Sequence, residues 1–203
     1  MNDRQAQATD ADLPGRLAAR IRDLGLEIGL PFIAAASDIS SPEPPLDVHG
    51  RPYAETLFQW VDPTLEYWKD RGFALRSPFV NAVRYTSEPL YYHAGRFAAW
   101  RPKPQLDAIE VEAAAEAFGI RSAVIAPVYL PRSVIGAIVW ASPEVHPRLP
   151  EMFAERADEL HAAAIRFLAA YHDNAGLGAT PIRLTRREVQ CLKWAAAGKT
   201  DQE

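Results

Sequence analysis

The chain has 203 residues, enough for one domain with a sizeable core plus an appendage but short for two full domains. Hydrophobic residues make up 48% and charged residues 24%, a mix that speaks against wholesale disorder and against a membrane protein, and a net charge of -4 with a pI near 5.8 gives no global pull toward nucleic acid. The single cysteine, Cys191, excludes an internal disulfide framework and a cysteine-rich zinc site and fits a reducing cytoplasm; the polar N-terminal tail has no apolar core of signal-peptide length, and no stretch is long enough to span a bilayer.

After that tail, Leu13, Leu17, Ile21, Leu24 and Ile28 recur at helical spacing and predict an amphipathic helix over 12–29. Phe32–Ala36 is short and apolar, which predicts a strand leaving the core through the proline-rich stretch 42–45 and a turn at His49-Gly50. Asp62-Pro63 joins an N-cap side chain to a proline whose missing N–H is no loss in the first turn, so a helix is expected through Leu65, Trp68 and Lys69 to Gly72. Ser77-Pro78 repeats that start, for a short helix carrying Phe79, Val80, Ala82 and Val83 before Pro89.

Residues 104–118 are alanine-rich and acidic, with Leu106, Ile109, Ala113 and Phe118 along one side and Gly119 as a stop, and predict one helix. The runs 122–130 and 134–141 are β-rich and joined by Pro131-Arg132-Ser133, a hairpin pattern. Residues 150–173 form the longest helical pattern, with Phe153, Ala157, Leu160, Ala164, Phe167 and Tyr171 spaced by three and four, suited to packing on the sheet or on a second subunit. The small, Gly/Pro-marked stretch that follows reads as a linker, placing a first domain at 1–174, the linker at 175–183 and a further segment at 184–203.

In that last segment, Thr185 and Glu188 have capping-box spacing, with a hydroxyl for the N3 amide and a carboxylate reaching back to the threonine N–H. Val189, Leu192 and Ala196 continue an apolar stripe, Gly198 and Lys199 supply a stop, and Thr200 opens a second capping box. The complete string LTRREVQCLKWAAAGKTDQE resembles the first twenty residues of the DNA-binding domain of LuxR-type quorum-sensing regulators. The resemblance implies a helix-turn-helix whose groove-reading helix lies beyond Glu203, with Thr185, Arg186, Arg187, Lys199 and Thr200 as candidate DNA contacts. DNA would be a partner only when the motif is complete. The chain is thus expected either to continue in a longer regulator or to act as an antiactivator that forms inactive heterodimers with a full-length relative.

The same resemblance implies that the first domain is the family's autoinducer-binding domain, of α+β class: an α-β-α sandwich with a central antiparallel sheet, followed by the partial helical segment. It implies a small-molecule signal held between sheet and helices, a homodimer or a heterodimer with a related regulator, no cofactor, no membrane and a cytoplasmic location. The family's ligand-binding aspartate, which precedes a proline, falls on Ser77; its tyrosine falls on Trp68, and its two tryptophans on Thr64 and Tyr92. Gly119, Pro127 and Gly136 match the family run around the hairpin, while Ala123 stands where glycine is usual. Exchanging a carboxylate for Ser77 removes a charge-assisted hydrogen bond worth about 1.5–3 kcal/mol, so the expected ligand is an unusual acyl lactone or another small molecule. Trp60, Trp68, Phe79, Tyr92, Phe97, Trp100 and Trp140 are candidates for an aromatic chamber, completed by Ile125 and Val139; any one of them alone is more often plain core.

His93, His146, His161 and His172 lack the spacing of a metal site, and Glu110, Glu112 and Glu116 on one helix read as a solvated face rather than an acid/base pair. Ser133, Ser142 and Cys191 sit in no nucleophile context, so no catalytic residue is assigned and an enzyme is not expected.

Overall fold

The computed structural model describes residues 12–41, 43–62, 64, 77–109, 111, 118–175 and 184–196. Helix α1 spans Leu13–Glu27, starts with Pro14 in its first turn and turns Ile21 and Leu24 inward, as the spacing predicts, together with Ala18, while Leu13 and Leu17 are half-buried. Strand β1, Phe32–Ala36, follows; then come short helices α2, Tyr53–Thr56, and α3, Pro78–Val83. Strands β2, Leu90–His93, and β3, Arg96–Ala99, form a hairpin, and α4 covers only Pro104–Asp107. Strands β4, Ser122–Leu130, and β5, Val134–Ser142, precede the long helix α5, Leu149–Asn174, and α6, Arg186–Ala196.

The five strands lie in the order β1-β5-β4-β2-β3 with every pair antiparallel. Side chains alternate across each strand, so the sheet has two inner faces and two cores. One face presents Ile33, Val124, Ala126, Val128, Ile138 and Trp140 to α1 and α5. The other presents Ala123, Ile125, Ala137, Val139, Leu90, Tyr92 and Phe97 to α3, α4 and the turns around them. This is the α+β sandwich the sequence reading expects.

Local chemistry fixes the first face firmly. Trp140 Nε1 donates to Ile21 O at 2.9 Å in the buried core, tethering α1 to β5. A Cβ on Gly136 would come within 2.8 Å of Leu168 Cδ1 and 2.9 Å of Ala36 O, so glycine there lets α5 lie against the sheet. At the rim, Arg20 and Arg156 each bridge Glu27 and Glu159 at 2.7–2.8 Å, a closed ring of four charges joining α1 to α5.

Two readings change. The β2–β3 hairpin has no counterpart in the predicted elements: its two-residue turn, Ala94-Gly95, has positive φ at both positions, the geometry a tight hairpin demands, but alanine hides the signal that asparagine or aspartate would give. The helix expected over 104–118 is interrupted after Asp107, where Ala108 to Ile109 is turn and bend; most of its remainder, Ala113 included, lies outside the described residues. Glu110, Glu112 and Glu116 lie outside the described residues, as do most of the helix expected after Asp62 and the second capping box at Thr200. Among the described residues no helix is long and apolar enough to cross a membrane.

Candidate functional site

A cavity of about 100 Å³ opens on the second face, above β1 and β5. Its floor is made by Ala34, Ala36, Ala137 and Val139; Phe79, Val80 and Val83 of α3 form the roof, and Trp60 and Phe118 stand at the sides. The register explains the floor. Ala36 pairs with Ala137 and Ala34 with Val139, so the facing side chains of the two strands are short. The neighbouring half of the same face carries Leu90, Tyr92 and Phe97, which fill their space.

Phe79 divides the two halves. Its ring makes edge-to-face contacts with Tyr92 at 5.5 Å, Phe97 at 5.7 Å and Phe118 at 5.7 Å, and Tyr92 also packs on Phe97. Such contacts satisfy the ring quadrupoles and leave no void between the rings. The α3 roof is pinned at its far end by Tyr129, whose hydroxyl donates to Val83 O at 3.2 Å.

Ser77 is the N-terminal flank of α3 and is only 4% exposed. Its hydroxyl does not cap the helix, and the residue lines the cavity instead. Among the described lining residues the charged side chain is Glu43, which is exposed, and no cation is present. Among the described lining residues a buried ligand therefore meets largely apolar walls, with the buried Ser77 hydroxyl and the half-buried Ser41 hydroxyl as small hydrogen-bonding groups.

Ser41, Glu43 and Pro44 close the cavity from the strap 37–46 that connects β1 to α2. The strap is held by backbone and side-chain bonds: Ile39 N donates to Ile135 O at 2.8 Å, Ser40 N and Oγ to Asp38 Oδ1, and Glu43 N to Ser41 Oγ. The end of α5 holds it as well, through His172 Nε2 against Ser37 O at 2.9 Å and Leu46 N donating to the Tyr171 hydroxyl at 3.3 Å.

Of the residues proposed for ligand contact, Trp60, Ser77, Phe79 and Val139 come together on the cavity wall. Tyr92 and Phe97 are buried on the same face but packed against Phe79 away from the cavity lining, and Ile125 is buried on β4 beside the floor residue Val139. Trp100 is corrected: it is 45% exposed and packs on Phe153 of α5 at 5.8 Å, at the opposite face of the sheet. Trp140 likewise points to α1, because its place in β5 has the parity of Ile138 and not of Val139. Thr64 is exposed, with its N and Oγ1 both donating to Asp62 Oδ1, and so sits in a turn capped by the Asp62 carboxylate and is not among the cavity-lining residues. Trp68 lies outside the described residues.

The alanines, Ile39, Val80, Val83, Phe118 and the strap escaped the sequence reading. The available signal was the run Phe-Ile-Ala-Ala-Ala in β1: alanine is depleted in strands, and three in succession leave methyl-sized steps where branched side chains would fill.

Three of the histidines meet backbone carbonyls through Nε2, His93 that of His146, His161 that of Pro127 and His172 that of Ser37, and His146 Nδ1 accepts from Arg148 N at 3.3 Å. At α6 the capping box is present, with Thr185 N and Oγ1 donating to Glu188 Oε2 and Glu188 N donating to Thr185 Oγ1. The amide and hydroxyl of Thr185 hold the Glu188 carboxyl below its ordinary value. Arg186 and Arg187 are exposed on this helix, which buries none of its residues; Lys199 and Thr200 lie outside the described residues.

A family model, the autoinducer binding domain, matches residues 44–171, well over half of the chain. Among solved structures, SdiA in complex with octanoyl-rac-glycerol is 18% identical over 92% of this chain and 71% of its own, with a TM-score of 0.48. SdiA from Escherichia coli, crystallised in space group P6522, is 23% identical over 67% of this chain and 54% of its own, with a TM-score of 0.35. No curated protein sequence matches the chain.

Proposed function

The chain belongs to the autoinducer binding domain family, the sensor of LuxR-type quorum-sensing regulators, and we propose that its signal is an uncharged small molecule bound in the cavity between the β1–β5 floor and α3. The observation that carries this reading is the cavity itself, with Ser77 as its one buried hydroxyl and no charged side chain buried among the described lining residues. Among the described lining residues an ion would find no buried partner to offset its lost hydration, whereas a neutral molecule gains from burial and needs only one hydrogen bond. A ligand that binds the native state alone stabilises it by mass action, and so favours the assembled form of the regulator.

The output of this reading is dimerisation through the outward face of α5, where Ile165 is 42% exposed, and the pairing of two DNA-binding segments that begin with α6. Mass spectrometry of molecules extracted from purified protein is expected to yield an uncharged compound, whose re-addition raises the melting temperature. Ser77→Ala should weaken that compound by about two- to tenfold, the effect of one neutral hydrogen bond. Nanomolar binding of ordinary acyl homoserine lactones in isothermal titration would overturn the assignment of a changed ligand. A monomer by light scattering, with and without the extracted compound, would overturn the dimer.

A further inference from the structure

The floor of the cavity is stepped. On one half of the face the strands present methyl groups, from Ala34, Ala36 and Ala137; on the other they present the rings of Tyr92 and Phe97. The backbone plane is the same sheet on both halves, so the void exists because of side-chain height. Its end is blocked by Phe79, whose contacts with three other rings leave it no room to swing toward β2. The strap blocks the other side and is tied to β5 and to the end of α5.

Resting on the receptor reading above, we propose that Ala34, Ala36 and Ala137 are the specificity-determining residues of this site. They act as a size gauge that admits a compact, uncharged ring or branched group bearing one oxygen for Ser77, and that rejects an extended straight chain. The room, about 100 Å³, is of the order of apolar cavities that hold a benzene-sized guest. Among the described residues, a straight chain of eight carbons meets Phe79 in the direction of β2 and Ser41 and Pro44 in the direction of the strap. A carboxylate of the right size would be buried beside apolar walls with no cation among the described lining residues.

The test uses protein labelled with ¹³C at alanine methyl groups, the floor resonances being assigned by substitution, and three probes: cyclopentanol, octan-1-ol and cyclopentanecarboxylate. Cyclopentanol is expected to shift the Ala34, Ala36 and Ala137 methyl signals in a saturable way, octan-1-ol to need at least tenfold more, and the carboxylate to leave them unmoved. Ala137→Val adds two methyl groups above the floor at a position where a β-branched residue suits a strand, and should weaken cyclopentanol at least tenfold with the far-UV spectrum unchanged. Ala34→Val makes the same test if Ala137→Val does not fold. The gauge is overturned if octan-1-ol saturates these methyls at the same concentration as cyclopentanol or a lower one, or if the valine variants bind cyclopentanol like the parent. Absence of any shift overturns it too, and the receptor reading falls with it only if extraction of the protein also yields no bound molecule.

Discussion

Removing the ring of Phe79 tests the partition between the filled and the hollow half of the second face. Phe79 is 5% exposed and touches Tyr92, Phe97 and Phe118 edge to face at 5.5–5.7 Å. A buried Phe→Ala change costs about 3–5 kcal/mol from lost transfer energy and the residual cavity. The upper part of that range is expected here, because each aromatic pair contributes roughly 0.5–1.5 kcal/mol beyond its area and the surrounding rings are held by the sheet and cannot close in. For a chain of this size about 1 kcal/mol corresponds to 2–4 °C, so Phe79→Ala should lower Tm by roughly 6–20 °C. Urea denaturation followed by far-UV circular dichroism gives the free energy directly, and Trp100→Ala serves as the contrast. Trp100 is half exposed at the other face, so its loss should cost less and leave ligand binding unchanged. A Phe79→Ala loss below about 1.5 kcal/mol would refute the reasoning, since it would mean that the site collapses and that the ring is not the wall between the two halves.

Gly25 tests the other core. A Cβ there would stand 2.8 Å from Leu30 O and 2.9 Å from Trp140 Cδ1, and the indole is held by its bond to Ile21 O. Helix propensity favours alanine by about 1 kcal/mol, but overpacking costs about 1–3 kcal/mol, so Gly25→Ala should be destabilising or neutral in urea, never stabilising by 1 kcal/mol. Burial among Phe58 and Phe167, reinforced by the charges of Asp47 and Asp12, pushes the Tyr53 hydroxyl up to about 12. Its folded value lies above the unfolded value near 10, so its contribution is complete below pH 10 and is lost as pH rises from 10 to 12. Melting curves across that window should show the loss, and Tyr53→Phe should remove this part of it. Hydrogen bonds from Arg156 and then Arg20 hold the Glu27 carboxyl below its ordinary value of 4.5. The contribution of the charge ring is therefore present above pH 4.5 and declines as pH falls through the lower folded value; Glu27→Gln should flatten the acid limb of the stability profile, and an unchanged limb would count against the ring.

The local patterns that depend on one element alone were legible in the sequence. The 3.6-residue spacing of α1 and α5, the β4–β5 hairpin and the Thr185–Glu188 capping box all appear with bounds within a residue or two of those expected. Ser77, Trp60, Phe79 and Val139, singled out by resemblance to the family and by their apolar character, line the cavity. What the tertiary structure decided is facing. Strands β4 and β5 are buried on both sides, so they carry no polar alternation to say which residues meet α5 and which meet α3. Trp140 and Val139 are neighbours in the chain and equally apolar, yet the pleat sends one to Ile21 and the other to the cavity. The hollow itself had no local sign, because a void is set by the heights of side chains brought together from β1, β5 and α3, and only the closed sandwich compares them.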